Sequence, residues 1–338
     1  MVLPFSSMNV DIYGQCNLRC RFCPEGMKLN EQPALRMSFV LFQQWIGPLL
    51  PGLRQIELFN WSEPLLHEEL FEILHWTAER SHDVAVRLST NGTLIDQEVS
   101  ERLICSPVQA LTITIAGLNR EDYLYYHGVD ALESVINSLR ILAFTKRQLG
   151  SPTPRIRLRY LRFPFNFVSR YGLWRWVKKH LGSHASSIDS VSIRDGYLCG
   201  STLSDQEIKK AYGIDPKEVS PIIIPNYHRC LKTCENPSVR ADGAVFPCCA
   251  IPYRKEYVMG FLGKASFEDI WNGTPYRSFR ESFMEGTNPI CRNCFFRYLR
   301  VPLKLDRHFF QRVRFRIRMK RVGPGYPRKT NAYRLFLC

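Results

Sequence analysis

From residue 8 to about residue 194, short apolar runs alternate with longer stretches whose apolar positions recur every three or four residues. The short runs are MNVDIYG (8–14), QIELFN (55–60), VAVRLST (84–90), ALTITIA (110–116), RIRLRYL (155–161) and SIDSVSI (187–193). Their length and their Val, Ile and Thr content read as strands. Helical periodicity lies between them, near 37–48, 66–80, 95–104, 131–147 and 170–181. Strands alternating with helices predict parallel pairing through right-handed crossovers. Six such units are two short of a closed eightfold barrel. The pattern therefore predicts an α/β fold, an open TIM-like partial (β/α)6 barrel over 1–198, with chemistry at the C-terminal ends of its strands.

The periodicity fades at 199–229, which reads as a linker. A small α+β segment follows at 230–295. Within it VRADGAVF predicts a hairpin turning at Asp242-Gly243, and SFEDIW a short helix capped by Ser266. Residues 296–338 form a basic tail. There is no internal repeat and no low-complexity tract.

The chain has 338 residues, 45% of them hydrophobic and 23% charged, as a folded globular protein has. No run of about 18 apolar residues predicts a membrane-spanning helix, and MVLPFSSMNV lacks the basic and apolar regions of a signal peptide. A cytosolic location is expected. The net charge of +15 is concentrated in residues 295–338, where thirteen Lys or Arg stand against the single acid Asp306. As a strand, RVRFRIRMKRV (312–322) places Arg312, Arg314, Arg316, Arg318 and Lys320 on one face. The readings are a solvated edge strand, a peripheral contact with an anionic membrane surface, or a grip on a phosphate-bearing substrate. Nucleic acid ranks last, because no RNA-binding module accompanies the tail.

Twelve cysteines in a cytosolic chain do not suggest a disulfide framework. Seven of them have metal-ligand spacing: Cys16, Cys20 and Cys23, then Cys230, Cys248, Cys291 and Cys294. The first three form CNLRCRFC, directly after the first strand. A cubane 4Fe–4S cluster takes four ligands, so three thiolates leave one iron open to a small molecule. Structural zinc needs four closed ligands, and no fourth Cys or His lies close by in the chain.

This stretch resembles the CxxxCxxC signature of the radical S-adenosylmethionine (SAM) superfamily, with Phe22 as the aromatic before the last cysteine. The resemblance implies that the open iron chelates SAM, and that its cleavage yields a 5′-deoxyadenosyl radical that abstracts hydrogen from a C–H bond. It also implies an electron donor such as flavodoxin or ferredoxin. FNWSEPLLH (59–67) resembles the family's Gly-Gly-Glu-Pro segment, which contacts the SAM amino group; Trp61 and Ser62 replace both glycines while Glu63 and Pro64 remain. Backbone carbonyls across Asn60, Trp61 and Ser62 then take the contact. LSTNGT (88–93) resembles the ribose-contacting Ser-x-Asn, with Ser89 and Asn91 in those roles. On the fifth strand Arg157 or Arg159 is placed to meet the SAM carboxylate.

The second set resembles the auxiliary-cluster extension called SPASM, or its shorter form, twitch. The matching features are Cys230, DGAVFPC ending at Cys248, FEDIWNG, and CRNC with Cys291 and Cys294. FFRYLRVP follows without further cysteines, which favours a single auxiliary 4Fe–4S cluster. Zinc is the alternative from spacing alone, and Cys234 is an alternative ligand to Cys230. With SAM and two clusters as cofactors, the resemblance implies oxidation of a secondary alcohol on a carbohydrate, aminocyclitol or glycosylated small molecule, the auxiliary cluster accepting an electron. The alternative is epimerisation, with Cys249 as hydrogen-atom donor to a sugar or ribosomal-peptide substrate; a structural thiol at Cys249 is the plainer reading. With a first strand expected at residue 8, the N-terminal recognition domain that peptide-modifying relatives often carry is not expected. A non-catalytic scaffold is disfavoured by the intact Cys16, Cys20, Cys23 and Glu63.

Overall fold

The computed structural model describes residues 5–30, 35–163, 165–195, 206, 219–223, 236–288, 291 and 298–302. Strand β1 (Ser7–Asp11) is followed by α1 (Phe39–Trp45), β2 (Gln55–Glu57), α2 (Leu70–Arg80), β3 (Ala85–Thr90) and α3 (Gln97–Cys105). Then come β4 (Ala110–Ile115), α4 (Arg120–His127), α5 (Leu132–Gln148), β5 (Arg155–Arg162), α6 (Arg170–Leu181) and β6 (Ser190–Asp195). These six strands pair in parallel in chain order, and the sheet stays open at β6. Helices α3, α4 and α6 begin where side-chain oxygens cap free N–H groups: Asp96 accepts from Val99, Asn119 from Asp122 and Ser169 from Gly172. Helix α4 is absent from the sequence expectation, because its polar REDYLYYH has little amphipathic signal.

The chain continues as β7 (Val219–Ile223), β8 (Ser238–Arg240), β9 (Ala244–Phe246), β10 (Gly260–Phe261), α7 (Phe267–Asn272), α8 (Thr274–Met284) and β11 (Tyr298–Pro302). The expected hairpin is β8–β9, and Ser266 caps α7 by accepting from Asp269 N–H. The hairpin is not a free-standing lobe. β8 pairs in parallel with β1 on the edge opposite β2, so β10-β9-β8 extend the barrel sheet to nine strands. Strands β7 and β11 pair with each other, which puts a strand inside the expected linker and another in the expected tail. The stretch 312–322 lies outside the described residues.

Side chains alternate across each strand. Leu111, Ile113 and Ile115 of β4, with Ile156, Leu158 and Tyr160 of β5, are buried in one core with Leu103, Val135, Leu139 and Leu142 of the helices. The register sets the other face, where Ser89, Thr112, Arg157 and Ser190 form one row and Thr114, Arg159 and Ser192 the next. One side of the sheet is thus greasy and covered by helices; the concave side is polar.

The hairpin turn depends on Gly243, whose φ is +81° and whose missing Cβ would come within 3.0 Å of the Trp45 ring. Gly150 also has positive φ (+59°) but nothing within 4 Å of the same position. Gly150→Ala should cost about 1–2 kcal/mol, the left-handed penalty alone. Gly243→Ala should lose roughly a further 1–3 kcal/mol through overpacking. Chemical denaturation measures both, and equal losses would contradict this docking of the hairpin on α1.

Candidate functional site

The cysteine loop leaves β1 and folds tightly on itself. Cys23 N–H donates to Cys20 O (3.2 Å) and Met27 N–H to Cys23 O (2.9 Å). A Cβ at Gly26 would lie 2.3 Å from Cys20 O, so this turn requires glycine. The loop is clamped to the end of α4: Arg19 N–H donates to His127 O (3.0 Å) and Arg21 N–H to Tyr126 O (2.7 Å). Phe22 is buried against Tyr126 and Phe163, with ring centroids 5.9 and 5.0 Å apart.

Three sulfurs are thereby held near one another. Burial, reinforced by mutual repulsion, raises the Cys16 and Cys20 thiols, Cys16 to about 12; burial raises Cys23 to about 11. Donors already point at two of them. Leu18 N–H and the Asn91 amide lie 3.5 and 3.7 Å from Cys16 Sγ, and His127 Nδ1 lies 3.2 Å from Cys20 Sγ. Tyr123 is fully buried, and its hydroxyl is without a hydrogen-bond partner among the described residues. Among the described residues, no three His, Cys, Asp or Glu side chains converge on one metal ion. The donor chemistry fits an iron–sulfur cubane better than a single ion. Each thiolate would bind a different iron of such a cluster, and the cationic irons would replace the protons that burial holds on these thiols.

The second and third strand ends close on this loop. Glu63 is buried; Oε1 accepts from Leu65 N–H (3.1 Å) and Thr90 Oγ1–H (2.7 Å), and Oε2 from Asn91 N–H (2.8 Å). The carboxylate thus ties the loop after β2 to the end of β3 and orients Asn91, whose amide reaches both Cys16 Sγ and Asn17 Oδ1. The two residues that replace the glycines each have a structural partner. Trp61 N–H donates to Asp11 Oδ2 (2.9 Å), and its indole Nε1–H reaches Ile251 O (3.2 Å). Ser62 Oγ–H donates to Asp11 Oδ1. In the orientation that satisfies both ends of its amide, Asn60 donates to Cys249 O (3.1 Å) and accepts from Tyr253 Oη–H (2.9 Å). Residues 60–62 are therefore fastened to β1 on one side and to the segment after β9 on the other.

Ser89 Oγ lies 3.4 Å from Thr114 Oγ1, and Arg157 Nε donates to Ser190 Oγ at 3.4 Å. Both belong to the polar concave face, two strands apart. In the second set, Cys248 and Cys291 are buried in one cluster with Phe279 and Phe283 of α8, although 43 positions separate them in sequence. Cys249 is half-buried beside them. Cys230, Cys294 and the alternative Cys234 lie outside the described residues. The sequence alone assigns no functional role to Asp11 or His127. Asp11 had a signal, a charge alternating with Val10 and Ile12 in a strand; the contact of His127 had none, because 107 residues separate it from Cys20.

These elements define an open parallel barrel with a three-cysteine loop at its first strand end and further cysteines beside an added hairpin. Residues 230–295 match the SPASM family, an iron–sulfur cluster-binding domain. The AdoMet-dependent heme synthase of Methanosarcina barkeri is 29% identical over 128 residues, 38% of this chain and 36% of that protein. The match therefore spans about a third of that relative. BtrN in complex with AdoMet and 2-DOIA superimposes with a TM-score of 0.55 at 19% identity, covering 87% of this chain and 94% of that one. SuiB of Streptococcus suis bound to precursor peptide SuiA gives 0.59 at 14% identity, covering 90% and 71%. The chain is thus similar in sequence to an AdoMet-dependent protein and in fold to AdoMet-bound BtrN, and its residues 230–295 match a SPASM domain.

Burial holds the Glu63 carboxyl up at about 7 and that of Asp11 at about 6. The folded chain then binds more protons than the unfolded one, whose carboxyls titrate near 4.5 and 3.8. The stability these groups contribute is complete below those values and is lost as pH rises through 6 to 7. Cluster-free protein should need less denaturant to unfold at about pH 8 than at about pH 5. Glu63→Gln should shrink that difference; an unchanged difference would contradict the buried, proton-holding carboxylate.

Proposed function

We propose that the chain is a radical SAM oxidoreductase that oxidises a secondary alcohol on a carbohydrate, aminocyclitol or glycosylated small molecule. Its cofactors are SAM and two 4Fe–4S clusters. Cys16, Cys20 and Cys23 hold the cluster whose open iron takes SAM; Cys230, Cys248, Cys291 and Cys294 hold an auxiliary cluster of the twitch type. A small electron carrier such as flavodoxin or ferredoxin reduces the protein. The observation that carries the reading is the convergence of three strand ends: the cysteine loop, the Glu63-pinned loop 60–66, and Asn91 against Cys16 Sγ. When bound, these cofactors supply a hydrogen-abstracting radical and an electron acceptor.

The chain's own residues do the rest. Asn60, Trp61 and Ser62 present backbone to the SAM amino group, Ser89 and Asn91 face the ribose, and Arg157 meets the carboxylate. Phe22 closes the site against solvent. Ser, Thr and Arg side chains of the concave face supply hydrogen-bond groups suited to a polyhydroxylated substrate. The segment 312–322 is proposed to rest on an anionic membrane surface, its charge serving location and not chemistry.

Epimerisation is the second reading, favoured by one contact. The Cys249 carbonyl lies 3.1 Å from the Asn60 amide, so a thiol-bearing residue abuts the loop that faces SAM. Product analysis in deuterated water separates the two. Oxidation predicts a ketone, no solvent label at the reacting carbon, and near-normal turnover in Cys249→Ala. An inverted carbon carrying deuterium, with turnover lost in Cys249→Ala while 5′-deoxyadenosine still accumulates, would establish epimerisation instead.

A further inference from the structure

His127 ends α4 and is 2% exposed, its ring held between Tyr123 (4.2 Å between centroids) and Tyr126 (4.8 Å). The two ring nitrogens meet different partners. Ala116 N–H points at Nε2 from 3.0 Å, and a backbone amide can only donate. Nε2 must therefore carry the lone pair. A neutral imidazole whose Nε2 accepts has its proton on Nδ1, and Nδ1 lies 3.2 Å from Cys20 Sγ. The hydrogen bond thus runs from His127 Nδ1–H to the sulfur. The same proton count keeps His127 out of the ligand set. Binding a metal through Nδ1 would put the proton on Nε2, where two N–H groups would face each other at 3.0 Å.

We propose that His127 is a positioning residue for the cluster at Cys16, Cys20 and Cys23: its Nδ1–H donates to the Cys20 thiolate and raises the reduction potential of that cluster. The inference rests on the cluster assignment given above. Reduction adds negative charge that the ligand sulfurs share, and a donor aimed at a sulfur stabilises that charge. The donor is fixed at both ends. The main chain of His127 accepts from Arg19 N–H (3.0 Å) in the same loop, and Ala116 of the β4 end holds the ring tautomer. A Cβ at Gly128, where φ is +69°, would lie 2.7 Å from Arg19 O, so the approach of loop and helix is as close as the backbone permits.

Two amide replacements separate the two ring nitrogens. Asn places its amide near the Nδ1 position and can still donate to Cys20, while losing the Ala116 bond. Gln places an acceptor near the Nε2 position and keeps the Ala116 bond, while losing the donor to sulfur. The readout is the midpoint potential of the reconstituted protein followed by electron paramagnetic resonance, the relevant cluster being the one whose signal changes on adding SAM. His127→Gln should lower that midpoint by about 59 mV, a roughly tenfold change in a one-electron equilibrium. His127→Asn should stay near wild type. Equal potentials in all three proteins, or a fall in His127→Asn alone, would overturn the proposal and leave His127 a packing residue. If iron and sulfide analysis found no cluster bound to the first three cysteines of wild type, the assignment itself would fall, and this proposal with it. A measurement free of substitutions stands beside these. In 15N-histidine-labelled, cluster-free wild type, His127 should carry its proton on Nδ1, and a proton on Nε2 would refute the donor.

Discussion

Strand β1 is paired on both edges, with β2 on one side and β8 on the other. The rest of the site depends on that double pairing. Because β8 is hydrogen-bonded to β1, the segment carrying Cys248 and Cys249 cannot drift from the cysteine loop at the end of β1. Asp11, the last residue of that strand, is fully buried and accepts from Trp61 and Ser62, so it fixes the loop after β2 as well. Burying this carboxyl costs free energy, offset by donors from the loop it positions. Three segments meet at one strand end because one strand holds them all.

The replacement of two glycines by Trp61 and Ser62 follows from the same arrangement. Where glycines lie in the family pattern, close backbone approach sets the loop. In this chain, side chains set it: Ser62 on Asp11, and the Trp61 indole on Ile251 O. Loop 60–62 thereby becomes the physical link between the barrel and the segment after Cys248. A change near Ile251 or Tyr253 has a short route to the first cysteine loop through Asn60, Trp61 and Asp11.

Much of this was legible in the chain. The six strands were readable because β-branched runs alternate with helical periodicity, and the hairpin because Asp242-Gly243 has the turn chemistry a hairpin needs. The three cysteines were readable from their spacing, and Glu63 and Asn91 only through the resemblance of their segments to a known family's. What was not legible is spatial. Parallel pairing of β8 with β1 spans 229 positions between Asn9 and Ser238, and no local pattern records it. Helix α4 shows little amphipathic stripe, since it buries Tyr123 in the main core while Tyr126 and His127 face the cysteine loop.

The three-cysteine loop is proposed to present an open iron to SAM. That proposal is tested most directly by electron-nuclear double resonance on reduced protein given SAM labelled with 15N at its amino group. A hyperfine coupling from that nitrogen to the cluster is expected, lost when Cys23 is replaced by Ser. A spectrum without the coupling in wild type, with SAM demonstrably bound, would contradict it.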